Sequence, residues 1–90
     1  MLETNVKIIN PLGLHARAAA QLVRLAGKFK SNIKLERIDN FVMADAKSIL
    51  SVLTLAAARG TVLKLTIDGE DENDAHLAIT ELISNGFGEL

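Results

Sequence analysis

The sequence has no cysteine, tryptophan or tyrosine, and its 90 residues include a single proline, Pro11. Without cysteine there is no disulfide, no thiolate nucleophile and no cysteine-ligated zinc. Nothing beside His76 stands at a convincing ligand spacing, so neither a metal nor a cofactor is expected. The only aromatic residues are three phenylalanines. The core must therefore be built from Leu, Ile, Val and Ala, and platforms for base stacking are nearly absent. An excess of either charge is missing too: 10 Lys and Arg face 11 Asp and Glu, for a net charge of -1. Binding to nucleic acid normally draws on a basic surplus that releases counterions from phosphates, so nucleic acid is not expected as a partner. No apolar run approaches the ~20 residues needed to cross a bilayer. The opening segment MLETNVKIIN lacks the basic start and apolar core of a signal peptide. The expectation is a cytoplasmic monomer without membrane insertion.

What is present is ordinary for a globular protein: 49% hydrophobic and 23% charged residues. The length suits one domain spanning residues 1–90, with little room for a deep cavity, because a chain this small buries only roughly 60% of its unfolded surface. Val6 and Ile8 mark a first strand that stops at Asn10-Pro11. From Ala16, helical spacing links Ala19, Leu22, Val23, Ala26 and Phe29 or Lys30. Ile33 and Leu35 mark a second strand, Asp39-Asn40 a turn, and Phe41, Val42 and Met43 a short third strand. A second helix is predicted from about Lys47 to Ala57. It is apolar on more than one side through Ile49, Leu50, Val52, Leu53 and Leu55, so part of it is available to a partner. Thr61 to Ile67 reads as a strand. Ala75, Ala78, Ile79, Leu82 and Ile83 then define a third helix, with an acidic, solvated start at Glu70, Asp71 and Glu72 and a stop at Asn85-Gly86. The order β-α-β-β-α-β-α predicts an α+β fold: a two-layer open-faced sandwich, with a four-stranded antiparallel sheet and three helices on one face.

The chemistry concentrates in NPLGLHARAAA, residues 10–20. A loop with Pro and Gly delivers His15 to a helix start, where the first backbone N–H groups have no intrahelical partners and the dipole favours an anion. The same field disfavours a positive charge on the ring, and phosphoryl transfer needs a neutral ring nitrogen. Arg17, in the same turn, offers a fork of donors to a phosphate oxygen. On spacing alone the bland alternative stands beside this one: a surface histidine at a cap, followed by a solvated arginine.

GLHARAAA resembles the active-site motif, usually written GLHARPA, of the HPr family, the histidine-containing phosphocarriers of the bacterial phosphoenolpyruvate-dependent sugar phosphotransferase system. AKSIL (46–50) is similar to that family's segment around its regulatory serine, and GTVLKLTIDGEDENDA (60–75) to its last strand, turn and third-helix start. The resemblance implies a phosphocarrier. His15 would accept a phosphoryl group on Nδ1 from the system's first enzyme and pass it to sugar-specific EIIA-type components, a relay rather than an autonomous catalyst. Arg17 and the amides of Ala16 and Arg17 would hold the phosphate. Ser48 would be the site of regulatory phosphorylation by an HPr kinase/phosphorylase. Ala16, Ala20, Arg24, Ile49, Leu50 and Leu53 would form the docking surface, with Arg24 and Leu50 the most exposed. Ala18 replaces the family's usual proline; this leaves the helix able to form and adds a donor in its first turn. Two alternatives remain open at this stage. One is a regulatory relative, whose phosphorylation at His15 or Ser48 controls binding to kinases or transcription regulators. The other is a small ligand-binding or purely structural α+β domain in which His15 is incidental. His76 is assigned no function.

Overall fold

The computed structural model describes residues 1–90. Four strands, β1 (Leu2–Lys7), β2 (Asn32–Arg37), β3 (Met43–Asp45) and β4 (Val62–Asp68), form an antiparallel sheet in the order β1-β4-β2-β3. Three helices, α1 (Ala16–Ala26), α2 (Ile49–Leu53) and α3 (Glu72–Ser84), cover one face, and a 3₁₀ turn at Gly86–Gly88 follows α3. This is the predicted open-faced sandwich. No helix is long and apolar enough to cross a membrane.

The period-2 pattern sorts the faces. Leu63, Leu65 and Ile67 of the interior strand β4 point under the helices and are buried, in register with Val6, Thr4 and Leu2 on one side. On the other side they pair with Arg37, Leu35 and Ile33. A fully buried Leu or Ile side chain of this kind contributes about 1.5–3 kcal/mol by leaving water. The open face carries polar pairs such as Lys64–Glu36, 3.3 Å apart in the ladder. Ala18, Ala19, Leu22 and Ala26 turn one stripe of α1 into the core, and small side chains there bring the helix close.

Several boundaries differ from expectation, each for a physical reason. The third strand is Met43–Asp45 rather than Phe41–Met43. Phe41 takes a left-handed φ of 62° and its N–H bonds back to Arg37 O, so Phe41 and Val42 belong to the exposed hairpin loop. The second helix is much shorter than Lys47–Ala57. Ser48 caps it, and after Leu53 the N–H groups of Leu55 and Ala56 reach back only three residues. Ala56 then turns left-handed at φ 48° while the Arg37 guanidinium holds the carbonyls of Leu55 and Ala56. The first helix stops at Ala26, with Gly27 as its C-cap, short of Phe29.

The acidic start of α3 is not simply solvated. The Asp71 carboxylate accepts from the backbone N–H of Lys30 (2.8 Å), that of Ser31 (2.9 Å) and the Ser31 hydroxyl, tying the entry of β2 to α3. The Ser31 hydroxyl and then the Lys30 amide hold this carboxyl below the usual range against partial desolvation. Glu72 meets the N-terminal ammonium at 3.0 Å.

Candidate functional site

Asn10 to Gly13 form a tight turn closed by Gly13 N–H to Asn10 O at 3.0 Å, with Pro11 presetting the first corner. Gly13 continues at φ 68°, where a Cβ would lie 2.7 Å from Ala57 O and 2.9 Å from Ala58 Cα. Glycine is therefore required both by its backbone conformation and by the close approach of the 57–58 segment. The Leu14 side chain is buried and its N–H bonds to Ala57 O at 2.8 Å. The chain that presents His15 is thus clamped on both sides.

His15 is the N-cap of α1, with extended backbone (φ -75°, ψ 178°) and no side-chain capping bond. Its carbonyl accepts the first helical bond, from Ala19 N–H, at 2.8 Å. The amides of Ala16, Arg17 and Ala18 therefore open the helix without intrahelical partners, a concentration of positive partial charge suited to an anion. Ala18 supplies one of these N–H groups, which proline would lack. The Ala16 and Arg17 side chains are exposed, and that of Ala18 is buried in the core.

The imidazole is 26% exposed, and its Nε2 is hydrogen-bonded to Glu89 Oε2. Glu89 Oε1 accepts from Asn10 Nδ2 at 2.9 Å, and the same Nδ2 donates to Gly13 O at 2.7 Å. Asn10 is fully buried, and two acceptors face its amide nitrogen, so only this orientation of the group is tolerable. Its Oδ1 is left buried without a partner. The Glu89 carboxyl lies below the usual carboxylate range. The Asn10 amide contributes most, followed by the hydrogen bond to the His15 ring and the positive charge of Arg17, against partial desolvation.

Asn10 and Glu89 are the two site residues that sequence reasoning missed. In the sequence Asn10 stands only as the end of a strand and the first residue of the loop before His15, and the sole local signal for Glu89 is the glycine pair around Phe87.

Of the other residues singled out, Arg24 is exposed and Ala20 half-buried on α1, which packs against α2. On α2, Leu50 is 75% exposed, while Ile49 and Leu53 are exposed to lesser degrees. Val52 and Leu55 are the members of that apolar set that enter the core. Leu12, in the turn before His15, is also strongly exposed. Ser48 is the N-cap of α2; its Oγ accepts from Ser51 N–H at 3.3 Å. His76 is half-buried against the sheet, its Nε2 2.7 Å from Thr4 Oγ1.

The family model described as "PTS HPr component phosphorylation site" matches residues 2–85. The Phosphocarrier protein HPr of Cupriavidus necator is 51% identical, over 99% of this chain and 98% of its own. The crystal structure of HPr from Thermoanaerobacter tengcongensis superposes with a TM-score of 0.92 at 41% identity, covering 100% of this chain and 99% of its own. A dimer of HPr from the same organism matches with a TM-score of 0.77 at 42% identity, over 99% of this chain and all of its own.

Proposed function

The chain belongs to the HPr family of phosphotransferase-system phosphocarriers, and on that premise we propose that His15 carries the phosphoryl group. The observation that supports it most is the pairing of a ring held at Nε2 with three unpartnered amides at the start of α1. With Nε2 engaged by a carboxylate, Nδ1 is the nitrogen left to attack phosphorus. The transferred oxyanion then meets the amides of Ala16 and Arg17 and the fork of the Arg17 guanidinium. The relay runs from the phosphoenolpyruvate-dependent first enzyme, in the cytoplasm, to sugar-specific EIIA-type acceptors. Their docking surface is Ala16, Ala20, Arg24, Ile49, Leu50 and Leu53. Relatives that share the phosphocarrier name over nearly the whole chain favour the relay over a purely regulatory role.

Incubation with phosphoenolpyruvate and the first enzyme is expected to add one acid-labile, base-stable phosphate by intact mass. A wild-type chain that gains none sinks the relay. Arg17→Ala is expected to slow uptake by roughly 10- to 100-fold, the loss of a charge-assisted hydrogen bond to phosphate, without lowering the melting temperature. Rates that match wild type in a quenched-flow assay remove Arg17 from the site.

Ser48 is proposed as a second, regulatory phosphorylation site for an HPr kinase/phosphorylase. Its hydroxyl stands at the head of α2, next to exposed Ile49 and Leu50. A phosphate there brings a charge of about -1.5 to -2 to an apolar docking patch and penalises association. Treatment with such a kinase and ATP is expected to label wild type and to leave Ser48→Ala unlabelled; a label that persists in the variant refutes the assignment.

A further inference from the structure

The C-terminal segment reaches the site by an unusual route. Gly86, Phe87 and Gly88 are all left-handed, at φ 59°, 56° and 74°. For Phe87 this conformation is costly, since its Cβ crowds the backbone there. Strain of this kind persists only where the surroundings over-determine it. Here the Phe87 side chain is buried in the core and anchors the hook. The hook ends on Glu89, whose carboxylate is received by the amide of buried Asn10 and the ring of His15. Asn10 also holds Gly13 O, so a single side chain sets the position of the carboxylate and of the loop that carries His15. A strained backbone, an aromatic anchor and a buried Asn10 whose Oδ1 has no partner thus converge on the carboxylate that meets one imidazole nitrogen.

We propose that Glu89 is a positioning residue for phosphoryl transfer. It keeps the proton of His15 on Nε2, leaves Nδ1 as the nucleophile, and stabilises the charge that appears on the ring as phosphorus is bound. The inference rests on the proposed role of His15. In the transfer step the Nδ1 lone pair forms the bond to phosphorus. The bond from phosphorus to the phosphorylated protein donor breaks, and its electron pair stays with the donor. The ring becomes cationic, and the proton remains on Nε2 in its bond to Glu89. Onward transfer to an acceptor reverses the ring's part of this balance. A carboxylate behind the imidazole strengthens the nucleophile and offsets the developing charge, as carboxylates do behind histidine ligands and bases. Asn10 supports this from the other side, because its donor favours the charged form of Glu89.

Two variants separate the parts of the proposal. Glu89→Ala removes both the acceptor and the charge, and Glu89→Gln keeps an acceptor oxygen at nearly the same size. In 1H–15N spectra of histidine-labelled protein, the Nε2-bound proton of His15 is expected to be visible and slow to exchange in wild type and Glu89→Gln, and lost in Glu89→Ala. Uptake of phosphate should slow by roughly 10- to 100-fold in Glu89→Ala, with Glu89→Gln between it and wild type. Unchanged uptake in both variants overturns the proposal. So does a wild-type ring that carries its proton on Nδ1, or a slow Glu89→Ala whose Nε2 signal is unaltered. Glu89→Gln uptake equal to wild type overturns the part assigned to charge. A wild-type chain that accepts no phosphate at His15 fails the underlying reading instead, so the two failures are distinguishable.

Discussion

Replacing His15 by alanine is expected to bring phosphate uptake below detection while leaving the fold in place. The expectation has two parts. Chemically, the variant has lost the only imidazole at the head of α1, and neither the amides of Ala16 and Arg17 nor the Arg17 guanidinium can act as a nucleophile. Structurally, the ring is not part of the core, and as N-cap it makes no bond to the helix amides. Alanine there forfeits none of the capping energy that a Ser or Asp cap would supply. The control is the other histidine. His76 contacts Thr4 against the sheet, 61 positions along the chain, and His76→Ala should take up phosphate as wild type does. Intact mass after incubation with the donor reads both variants in one experiment. Equal labelling of wild type and His15→Ala places the phosphate elsewhere.

Gly13→Ala is expected to be among the most damaging single substitutions near the site. A Cβ at this position meets Ala57 O at 2.7 Å and Ala58 Cα at 2.9 Å, and both are backbone atoms that no side-chain rotation can move. The φ of 68° adds the left-handed penalty of an L-residue. Overpacking and backbone strain together come to about 2–5 kcal/mol, against a total stability of about 5–15 kcal/mol for a domain. The damage also reaches the chemistry. Relief of the clash separates the 10–14 loop from the 57–58 segment, stretching the Leu14 N–H to Ala57 O bond and shifting Gly13 O away from Asn10. Denaturant melts should show the stability loss, and the folded fraction of Gly13→Ala should take up phosphate more slowly than wild type. A variant with the midpoint and uptake rate of wild type shows that the close approach is not needed.

Much of the architecture was legible because the signals were local. Ile33 and Leu35, Leu63 to Ile67, and the Ala19-Leu22-Val23-Ala26 stripe each declare a period and a buried face within a few residues. Local patterning fails where distant groups decide. Phe41 and Val42 have strand composition but sit in a loop, because the left-handed φ of Phe41 and its N–H bond back to Arg37 O close a turn that ends only at Met43. The end of α2 depends on Arg37, a residue of β2, holding the carbonyls of Leu55 and Ala56. In sequence Asp71 is one more acid at a solvated helix start, whereas in the fold it grips the amides of Lys30 and Ser31.

The same distinction applies to the site. His15 and Arg17 were legible at the head of α1 because one loop-to-helix segment contains both. Glu89 was not: 74 positions separate it from His15, and no periodicity links them. The stop signal at Asn85-Gly86 gave no hint that the chain would turn back. Only the buried Phe87, flanked by two glycines that permit left-handed backbone, brings the carboxylate to the ring.

The most direct measurement is 15N–31P coupling in the phosphorylated chain labelled at its histidine ring nitrogens. Bond formation through His15 Nδ1 predicts a single phosphorus resonance coupled to that nitrogen, with a proton still on Nε2. Phosphorus coupled to Nε2, to His76, or to no ring nitrogen at all contradicts it.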